Sequence, residues 1–270
     1  MTDAVGNLLT AEGLTVRFGG VLALDNVSFA IRRGTIHSLI GPNGAGKSTC
    51  FNAVTALYPL ESGEVRLDGE RLDTVPQRKI ITHGIARTFQ NLVLPPHLTV
   101  ADTLRVGRHH RTRTGMLAAA LALPRARRES AEDERIVRTM AEALAIEEYL
   151  DQPVGPLPYG IRKKVEIARA LCAEPSLLLL DEPVAGMNDA ESRILGEQIL
   201  ECRDRFDLTV LLVEHDMELV LNLSDHITVL QSGRVIADGT PDVVQRDPDV
   251  IAAYLGSEAA PYETERAAHG

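Results

Sequence analysis

The chain has 270 residues, of which 44% are hydrophobic and 24% charged, a composition typical of an ordinary globular protein. Its formal net charge of −10 argues against a nucleic-acid coat or a membrane-surface binder. No apolar run approaches the roughly 20 residues that a membrane span needs, and the first residues show no secretory signal. The three cysteines lie far apart and form neither a metal-binding pattern nor a disulfide framework, which favours a reducing cytoplasm.

Short strands separated by turns are predicted for the N-terminal part of the chain. Apolar and polar residues alternate over 14–18 and 27–31. Short β-prone runs at 35–40, 64–69 and 85–89 predict further strands.

A phosphate-binding motif follows the strand predicted at 35–40. Residues 41–49 read Gly-Pro-Asn-Gly-Ala-Gly-Lys-Ser-Thr, the G-x-x-x-x-G-K-S pattern of a P-loop. Its glycines let backbone N–H groups turn toward phosphate oxygens, and a helix expected to begin near Lys47 adds the positive end of its dipole. Lys47 is expected to reach the β- and γ-phosphates, and the Ser48 hydroxyl to bind Mg²⁺. The candidate ATP-binding residues of this loop are Asn43, Gly44, Ala45, Gly46, Lys47, Ser48 and Thr49.

The composition changes after residue 90. Residues 91–165 are rich in Ala, Arg and Glu, and residues such as Ile136 and Met140 recur at helical spacing, which predicts a helical subdomain. Arginines cluster at 105–113 and 125–128. These clusters are typical of a solvated helical surface, and the alternative is contact with a partner or with lipid headgroups. No aromatic residues interleave the arginines, so base stacking is unsupported.

Alternating strands and helices return in the last third of the chain. Apolar runs at 177–180 and 208–213 predict buried strands, and Ser232-Gly233 predicts the turn of a hairpin. Strands that alternate with helices indicate an α/β core. Residues 257–270 have no apolar periodicity and are expected to form a loose tail.

Polar residues that follow three of the predicted strands are candidates for catalysis. Asp181 ends the run at 177–180, where P-loop enzymes hold Mg²⁺, and Glu182 could polarise a water for attack on the γ-phosphate. His215 could hydrogen-bond the γ-phosphate, although a histidine at a strand end is also an ordinary turn residue. Gln90 could touch Mg²⁺ or the attacking water, and the alternative is an exposed loop amide.

These features occur in the order found in ABC transporter ATP-binding subunits, which the chain resembles over residues 9–256. The ordered elements are the P-loop (41–48), the Q-loop (Gln90), the signature (157–161), Walker B (177–182), the D-loop (184–188) and the switch histidine (His215). The resemblance implies an α/β fold, a P-loop NTPase core with an antiparallel β subdomain and an inserted α-helical subdomain. It implies one ABC ATPase domain over residues 1–256. Its nucleotide-binding core spans 1–90 and 166–256, and its helical subdomain spans 91–165.

The resemblance also implies roles for individual residues, with ATP and Mg²⁺ as ligands. Phe18 would stack on adenine, the alternative being a core strand residue. The implied catalytic residues are Glu182, His215, Lys47 and Gln90. The implied Mg²⁺ ligands are Ser48, Gln90 and Asp181. The residues implied to contact an ATP bound to a second subunit are Tyr159, Gly160 and Asn188.

Several stretches resemble one subgroup, the ATPases of branched-chain amino-acid importers. These stretches are 86–90, 159–160, 166–170, 182–188, 213–217 and 247–256. The insert around 105–135 and the Ala-Gly-Met-Asn sequence of the D-loop resemble the longer of the two ATPase subunits in such systems.

The resemblance implies a subunit that couples ATP binding and hydrolysis to movement of a permease. The expected partners are a second, different ABC ATPase subunit in a head-to-tail dimer, two transmembrane permease subunits and, indirectly, a periplasmic or extracellular substrate-binding protein. No nucleic-acid partner is expected, and the expected location is the cytoplasmic face of the cell membrane. The alternatives are an importer of urea, amides or aromatic acids, a lipopolysaccharide-export ATPase, and a soluble ABC protein of DNA repair or translation.

The chain departs from the family pattern in its signature, which is usually Leu-Ser-Gly-Gly-Gln. Here residues 157–161 read Leu-Pro-Tyr-Gly-Ile, and Pro158 supplies neither a hydroxyl nor a backbone N–H. Proline is well suited to a helix start, so Gly160 and the helix expected over about 160–172 should still face a phosphate. We hypothesise that the ATP site completed by this signature is the weaker of two. Asn188 stands where the D-loop usually has Asp.

Overall fold

The structure is a computed structural model of the 270-residue chain, and it describes residues 6–88, 94–111 and 124–258. The chain divides into two compact units. The first comprises residues 1–77 and 211–270, and the second comprises residues 78–210.

An antiparallel sheet occupies the N-terminal part of the first unit. Its strands are β1 (Asn7–Phe18), β2 (Val21–Arg32), β4 (Ser62–Leu67) and β5 (Glu70–Arg71), in the order β2-β1-β4-β5. Strands β1 and β2 are both longer than predicted. The β1–β2 register shifts at several points along the pair, and each shift breaks the apolar–polar alternation on which the prediction depends.

The first unit also contains a parallel strand pair followed by a hairpin. Strand β3 (Ile36–Ile40) pairs in parallel with β9 (His226–Gln231), and β10 (Arg234–Gly239) pairs antiparallel with β9. Ser232 and Gly233 both have positive φ, 49° and 80°, as a tight hairpin turn requires, so the predicted hairpin is confirmed.

Within its described residues, the first unit has four α-helices. They are α1 (Lys47–Val54), α6 (Met217–Leu223), α7 (Pro241–Val244) and α8 (Pro248–Glu258). One buried cluster joins strands β3 and β9 to the last three of these helices. Its members are Ile40, Val220, Ile227, Val229, Val244 and Val250.

The second unit has more helix than strand. Strand β6 (Ile85–Arg87) pairs in parallel with β7 (Leu177–Asp181). The helices are α2 (Val100–Gly107), α3 (Pro124–Ala143), α4 (Tyr159–Leu171) and α5 (Asp189–Phe206). The predicted helix near 160–172 is therefore confirmed as α4.

Strand β8 (Thr209–Val213) contains the boundary between the two units. Strands β3, β7 and β8 each have five residues, and all of these residues are buried. This burial explains why the three strands appear in the sequence as largely apolar runs.

The described arginines of the cluster at 105–113 are engaged with carboxylates of the same unit. Arg105 forms salt bridges with Asp102 and Glu134. Arg108 forms salt bridges with Asp133 and Glu174. The Nε of Arg111 lies 3.6 Å from a carboxylate oxygen of Glu174. Because these arginines are paired within the chain, the structure favours the predicted solvated helical surface over a basic patch that binds a partner or lipid headgroups. Arg113 lies outside the described residues, as does the side chain of Arg125.

The three cysteines are buried and free. They lie in α1, in α5 and just after α4, and burial raises the pKa of each thiol to about 12. In the parts of the chain that the structure describes, no helix has both the length and the apolar character of a membrane span.

Candidate functional site

The P-loop of the first unit adopts a conformation that only glycine tolerates at three positions. Gly41, Gly44 and Gly46 have φ of 149°, 78° and 103°. A Cβ on Gly41 would lie 2.1 Å from the Leu230 carbonyl oxygen, whereas a Cβ on Gly44 would meet nothing within 4 Å. The loop is therefore packed against β9 at its first glycine and open to solvent in its middle, where phosphates would enter.

Helix α1 begins at Lys47, as predicted, and Gly46 is its N-cap without a side-chain hydrogen bond. The N–H groups of its first turn are therefore not satisfied by a capping side chain. Ser48 is exposed and Thr49 half-buried at this end of the helix. An uncapped helix start behind a glycine-rich loop fits a phosphate group, so the residues present suit a nucleotide.

Lys47 is buried within its own loop. Its Nζ donates to the carbonyl oxygens of Gly41 at 2.6 Å and Pro42 at 3.1 Å. Both of these acceptors are neutral carbonyl oxygens, and hydrogen bonds from an ammonium group to charged phosphate oxygens are stronger than such bonds.

Phe18 is the last residue of β1 and is 45% exposed. This exposure excludes the alternative interpretation of Phe18 as a core strand residue. Its ring makes an edge-to-face contact with Tyr58, with centroids 5.1 Å apart. An exposed ring that is fixed by a second aromatic is suited to stacking on a planar base. Tyr58 was not predicted, because its contact with Phe18 joins residues 40 positions apart.

Asp181 and Glu182 lie at the end of β7 in the second unit. Asp181 is buried, and its backbone N–H donates to the Thr88 hydroxyl at 3.2 Å. Glu182 has a positive φ of 48°, in the left-handed region that residues other than glycine adopt uncommonly. Arg87, which sequence reasoning did not assign a role, places its Nη2 3.9 Å from an Asp181 carboxylate oxygen.

His215 follows β8 and belongs to the first unit. Its side chain is exposed, and its backbone N–H donates to the carboxylate of Glu214 at 3.0 Å. Glu214 is buried, and Asp216 caps α6 through a bond from the Leu219 N–H at 3.1 Å. The two acidic neighbours thus fix the backbone on either side of this exposed histidine.

The signature and the D-loop meet within the second unit. Pro158 is the N-cap of α4 and offers no side-chain hydrogen bond, and Tyr159 is 38% exposed. A Cβ placed on Gly186 would lie 3.3 Å from the Tyr159 ring, and one on Gly160 would lie 3.4 Å from a Glu191 carboxylate oxygen. The Tyr-Gly pair of the signature therefore packs directly on the D-loop and the start of α5.

Asn188 ends the D-loop and caps α5. Its side-chain oxygen accepts from the Glu191 N–H at 3.0 Å, and its own N–H donates to the Glu191 carboxylate at 3.1 Å. This capping box explains the suitability of Asn where the family usually has Asp, because both side chains cap well. The Asn188 side-chain oxygen is thereby engaged with the backbone at the start of α5.

The predicted site residues thus divide between the two units. Phe18, the P-loop and His215 lie in the first unit, and Asp181, Glu182, the signature and Asn188 lie in the second. Gln90 lies outside the described residues.

Comparison with protein families identifies two matching regions. Residues 24–185 match a family described as "ABC transporter", which covers more than half of the chain. Residues 234–260 match a family described as "Branched-chain amino acid ATP-binding cassette transporter".

Curated relatives are similar over nearly the full length of the chain. The high-affinity branched-chain amino acid transport ATP-binding protein BraF of Pseudomonas aeruginosa is 42% identical over 92% of this chain and 98% of its own. The corresponding protein LivG of Escherichia coli is 41% identical over the same shares. A probable LivG of Archaeoglobus fulgidus is 32% identical over 95% of this chain and 98% of its own.

Solved structures of ATP-binding cassettes share the fold. The ADP conformation of MJ1267, an ATP-binding cassette of an ABC transporter, superposes with a TM-score of 0.79 at 30% identity over 93% of this chain and 99% of its own. A nucleotide-free cassette superposes with a TM-score of 0.78 at 29% identity, over 92% of this chain and 98% of its own. The predicted α/β P-loop fold is therefore confirmed, and the chain belongs to the ABC transporter family as one of its ATP-binding proteins.

Proposed function

We propose that this chain is the ATP-hydrolysing subunit of a membrane importer for branched-chain amino acids or related small amino acids and amides. The observation that carries the proposal is the similarity, over 92% of the chain, to proteins named for high-affinity branched-chain amino acid transport. The separate match of residues 234–260 to the branched-chain family supports the same subgroup.

Nucleotide binding would begin at the P-loop and Phe18. The open middle of the loop and the uncapped start of α1 present N–H groups to phosphates, and Lys47 would exchange the Gly41 and Pro42 oxygens for β- and γ-phosphate oxygens. Phe18 would stack on the adenine ring from its exposed position at the end of β1.

Hydrolysis would use the catalytic residues that the family resemblance implies. Glu182 would accept a proton from the attacking water, and His215 would hydrogen-bond the γ-phosphate. Gln90 would orient the water. Mg²⁺ held by Ser48, Gln90 and Asp181 would supply positive charge against the negative charge that develops on the phosphates.

A second ATPase subunit, different from this one, would complete the site in a head-to-tail dimer. Tyr159, Gly160 and the amide of Asn188 would contact an ATP held by the P-loop of that subunit. Because Pro158 lacks both a hydroxyl and an N–H, we propose that the site completed by this chain binds ATP more weakly than the other. Equal ATP occupancy at the two sites of the assembled dimer would refute this asymmetry.

The assembly would lie at the cytoplasmic face of the membrane. Residues 1–90 and 166–256 would form the nucleotide-binding core of a single domain. Residues 91–165 would form the inserted helical subdomain that moves against a permease, in an assembly with two permease subunits. A periplasmic or extracellular substrate-binding protein would select the substrate, since the ATPase subunit does not contact it.

The experiment that tests this function is purification of the tagged chain from gently solubilised membranes, followed by mass spectrometry. Two polytopic permeases and a second ATPase are expected to co-purify. Recovery only from the soluble fraction, with ribosomal or DNA-repair partners, would overturn the transport function and favour the soluble ABC alternative.

The substrate class is tested by reconstituting the co-purified complex in liposomes with its substrate-binding protein. Leucine, isoleucine or valine is expected to stimulate ATP hydrolysis, and Lys47→Ala is the matched inactive control. Stimulation by urea or an aromatic acid in place of these amino acids would assign the complex to another import system.

A further inference from the structure

The metal-ligand candidate Asp181 is attached to strand β6 by backbone and hydroxyl contacts. Strands β6 and β7 pair in parallel, with Arg87 opposite Leu179. The Thr88 N–H donates to the Leu179 carbonyl at 2.9 Å, and the Asp181 N–H donates to the Thr88 hydroxyl at 3.2 Å. The end of β7 is therefore held in a fixed position relative to Arg87 and Thr88.

The Arg87 side chain extends along the same strand end to the Asp181 carboxylate. Its Nη2 lies 3.9 Å from Asp181 Oδ2, and the two side chains are only 17% and 8% exposed. A carboxylate removed from water in this way requires a compensating positive charge. Arg87 supplies such a charge beside the Asp181 carboxylate, the group that Mg²⁺ is proposed to use.

We propose that Arg87 is a positioning residue that acts as an internal counter-cation of Asp181, which competes with Mg²⁺ for this carboxylate and so weakens metal binding. The inference rests on the proposed function in that it requires Asp181 to hold the metal. Metal binding would place a dication beside the guanidinium, and two cations separated by a few ångströms in a partly buried site repel each other. Arg87 would therefore release Asp181 when the metal arrives.

The sign of the expected effect separates this role from a structural one. If Arg87 only supported the fold, its replacement would weaken metal binding or leave it unchanged. If it competes with the metal, removal of its charge will tighten metal binding, on the order of tenfold, because a repulsive neighbour has been removed. Arg87→Lys keeps the positive charge and should stay close to the unaltered chain.

The test is titration of the full-length chain with Mn²⁺ in the presence of ADP, with the free Mn²⁺ measured by electron paramagnetic resonance. Arg87→Gln is expected to lower the Mn²⁺ dissociation constant about tenfold, whereas Arg87→Lys is not. Arg169→Gln is the matched control, because Arg169 Nη2 lies 4.0 Å from the buried carboxylate of Glu166, which is not a metal-ligand candidate. A folded Arg87→Gln variant with unchanged or weaker Mn²⁺ binding would overturn the inference.

Asp181→Asn separates failure of the inference from failure of the proposed metal site. If Asp181→Asn binds Mn²⁺ and ADP as well as the unaltered chain, Asp181 does not hold the metal and both proposals fail. If it loses Mn²⁺ while Arg87→Gln changes nothing, only the role of Arg87 fails.

A second measurement covers the case in which Arg87→Gln does not fold. The Arg87 Nε–H resonance of the unaltered chain, assigned by its loss in Arg87→Lys, should shift when Mg²⁺ is added to the ADP-bound protein. An unshifted resonance at saturating Mg²⁺ would overturn the inference.

Discussion

The Tyr159 ring lies against Gly186, with its Cε1 3.3 Å from the position that a Cβ at residue 186 would occupy. Gly186 has a φ of 81°, so both the backbone conformation and the neighbouring ring exclude a larger residue. The Arg162 guanidinium lies 5.8 Å from the centroid of the same ring on the first turn of α4. The tyrosine of the signature is thus held between its own helix and the D-loop.

Gly186→Ala is expected to lower the free energy of unfolding by at least about 1–2 kcal/mol, the cost of a left-handed conformation for an L-residue. Urea denaturation of the chain measures this change. Gly20→Ala is the control, since a Cβ there meets nothing within 4 Å and its φ lies outside the left-handed region. If both substitutions cost the same, the tight contact at Gly186 has no energetic significance.

The contribution of the ring is measured by a double-mutant cycle with Tyr159→Ala. Removal of the ring should recover part of the loss caused by Gly186→Ala, because the steric contact disappears while the backbone cost remains. Fully additive effects would show that the ring does not oppose a side chain at residue 186.

Glu182→Gln is expected to abolish most ATP hydrolysis while ATP binding is retained. The amide is nearly isosteric with the carboxylate but cannot accept the proton of the attacking water, so the rate should fall by at least about 10²-fold. Steady-state phosphate release and equilibrium binding of ATP measure the two effects. Glu197→Gln on the exposed face of α5 is the control, and near-normal hydrolysis by Glu182→Gln would exclude Glu182 as the base.

Phe18→Ala is expected to weaken ATP binding without changing the binding of inorganic tripolyphosphate. Loss of stacking on a base costs about 1–3 kcal/mol, which is roughly a 5- to 150-fold change in affinity. Phe18→Tyr should retain most of the affinity, because the ring remains. Equal loss for ATP and tripolyphosphate would show that the substitution damages the P-loop instead of a base-stacking contact.

Stability should fall with decreasing pH because of a buried histidine in the first unit. His37 is 1% exposed, and burial, assisted by the nearby His226, lowers its pKa from 6.5 to about 3. Between pH 6.5 and about 3, the unfolded chain therefore binds a proton at this histidine, whereas the folded chain does not. The free energy of unfolding should fall by up to about 1.4 kcal/mol per pH unit between pH 6.5 and 3.

The hydrogen bonds around His37 define its neutral form. His37 Nε2 lies 2.8 Å from the Thr228 hydroxyl oxygen, and that hydroxyl donates to Asp238. Because the hydroxyl proton is committed to Asp238, the His37 Nε2 must be the protonated nitrogen of a neutral ring.

Urea denaturation between pH 6.5 and 4.5 measures this slope, and substitution of His37 separates its contribution from that of His110, whose pKa is also lowered by burial. Burial acts to raise the pKa of Asp238, but its bonds from His226 and Thr228 hold it below the ordinary value, so this carboxylate titrates at lower pH. His37→Gln should flatten the slope, and His109→Gln at the surface should leave it intact. An unchanged slope in His37→Gln would refute the assignment.

The P-loop and the strands beside it were predictable because their determinants are local. A glycine-rich loop between an apolar run and a helix start specifies its own conformation, and the three positive φ values at Gly41, Gly44 and Gly46 follow from it. The fully buried strands were equally visible as apolar runs.

The contacts that fix the site residues were not predictable, because they depend on packing between segments distant in sequence. Arg87 meets Asp181 only because β6 and β7 are neighbours, and Tyr58 meets Phe18 only because α1 ends near β1. Strand β5 was not predicted because its two residues are too few to show an alternating pattern. The full lengths of β1 and β2 escaped it because register shifts interrupt their alternation.

Because Cys50, Cys172 and Cys202 are buried, we expect the unaltered chain to react little with thiol-specific reagents. Thiols whose pKa is raised to about 12 carry almost no thiolate at neutral pH and are shielded from reagents. A single cysteine introduced at an exposed position such as Ile194 would therefore take a spectroscopic label selectively. Movements of this subunit during ATP turnover can then be followed without first removing the native cysteines.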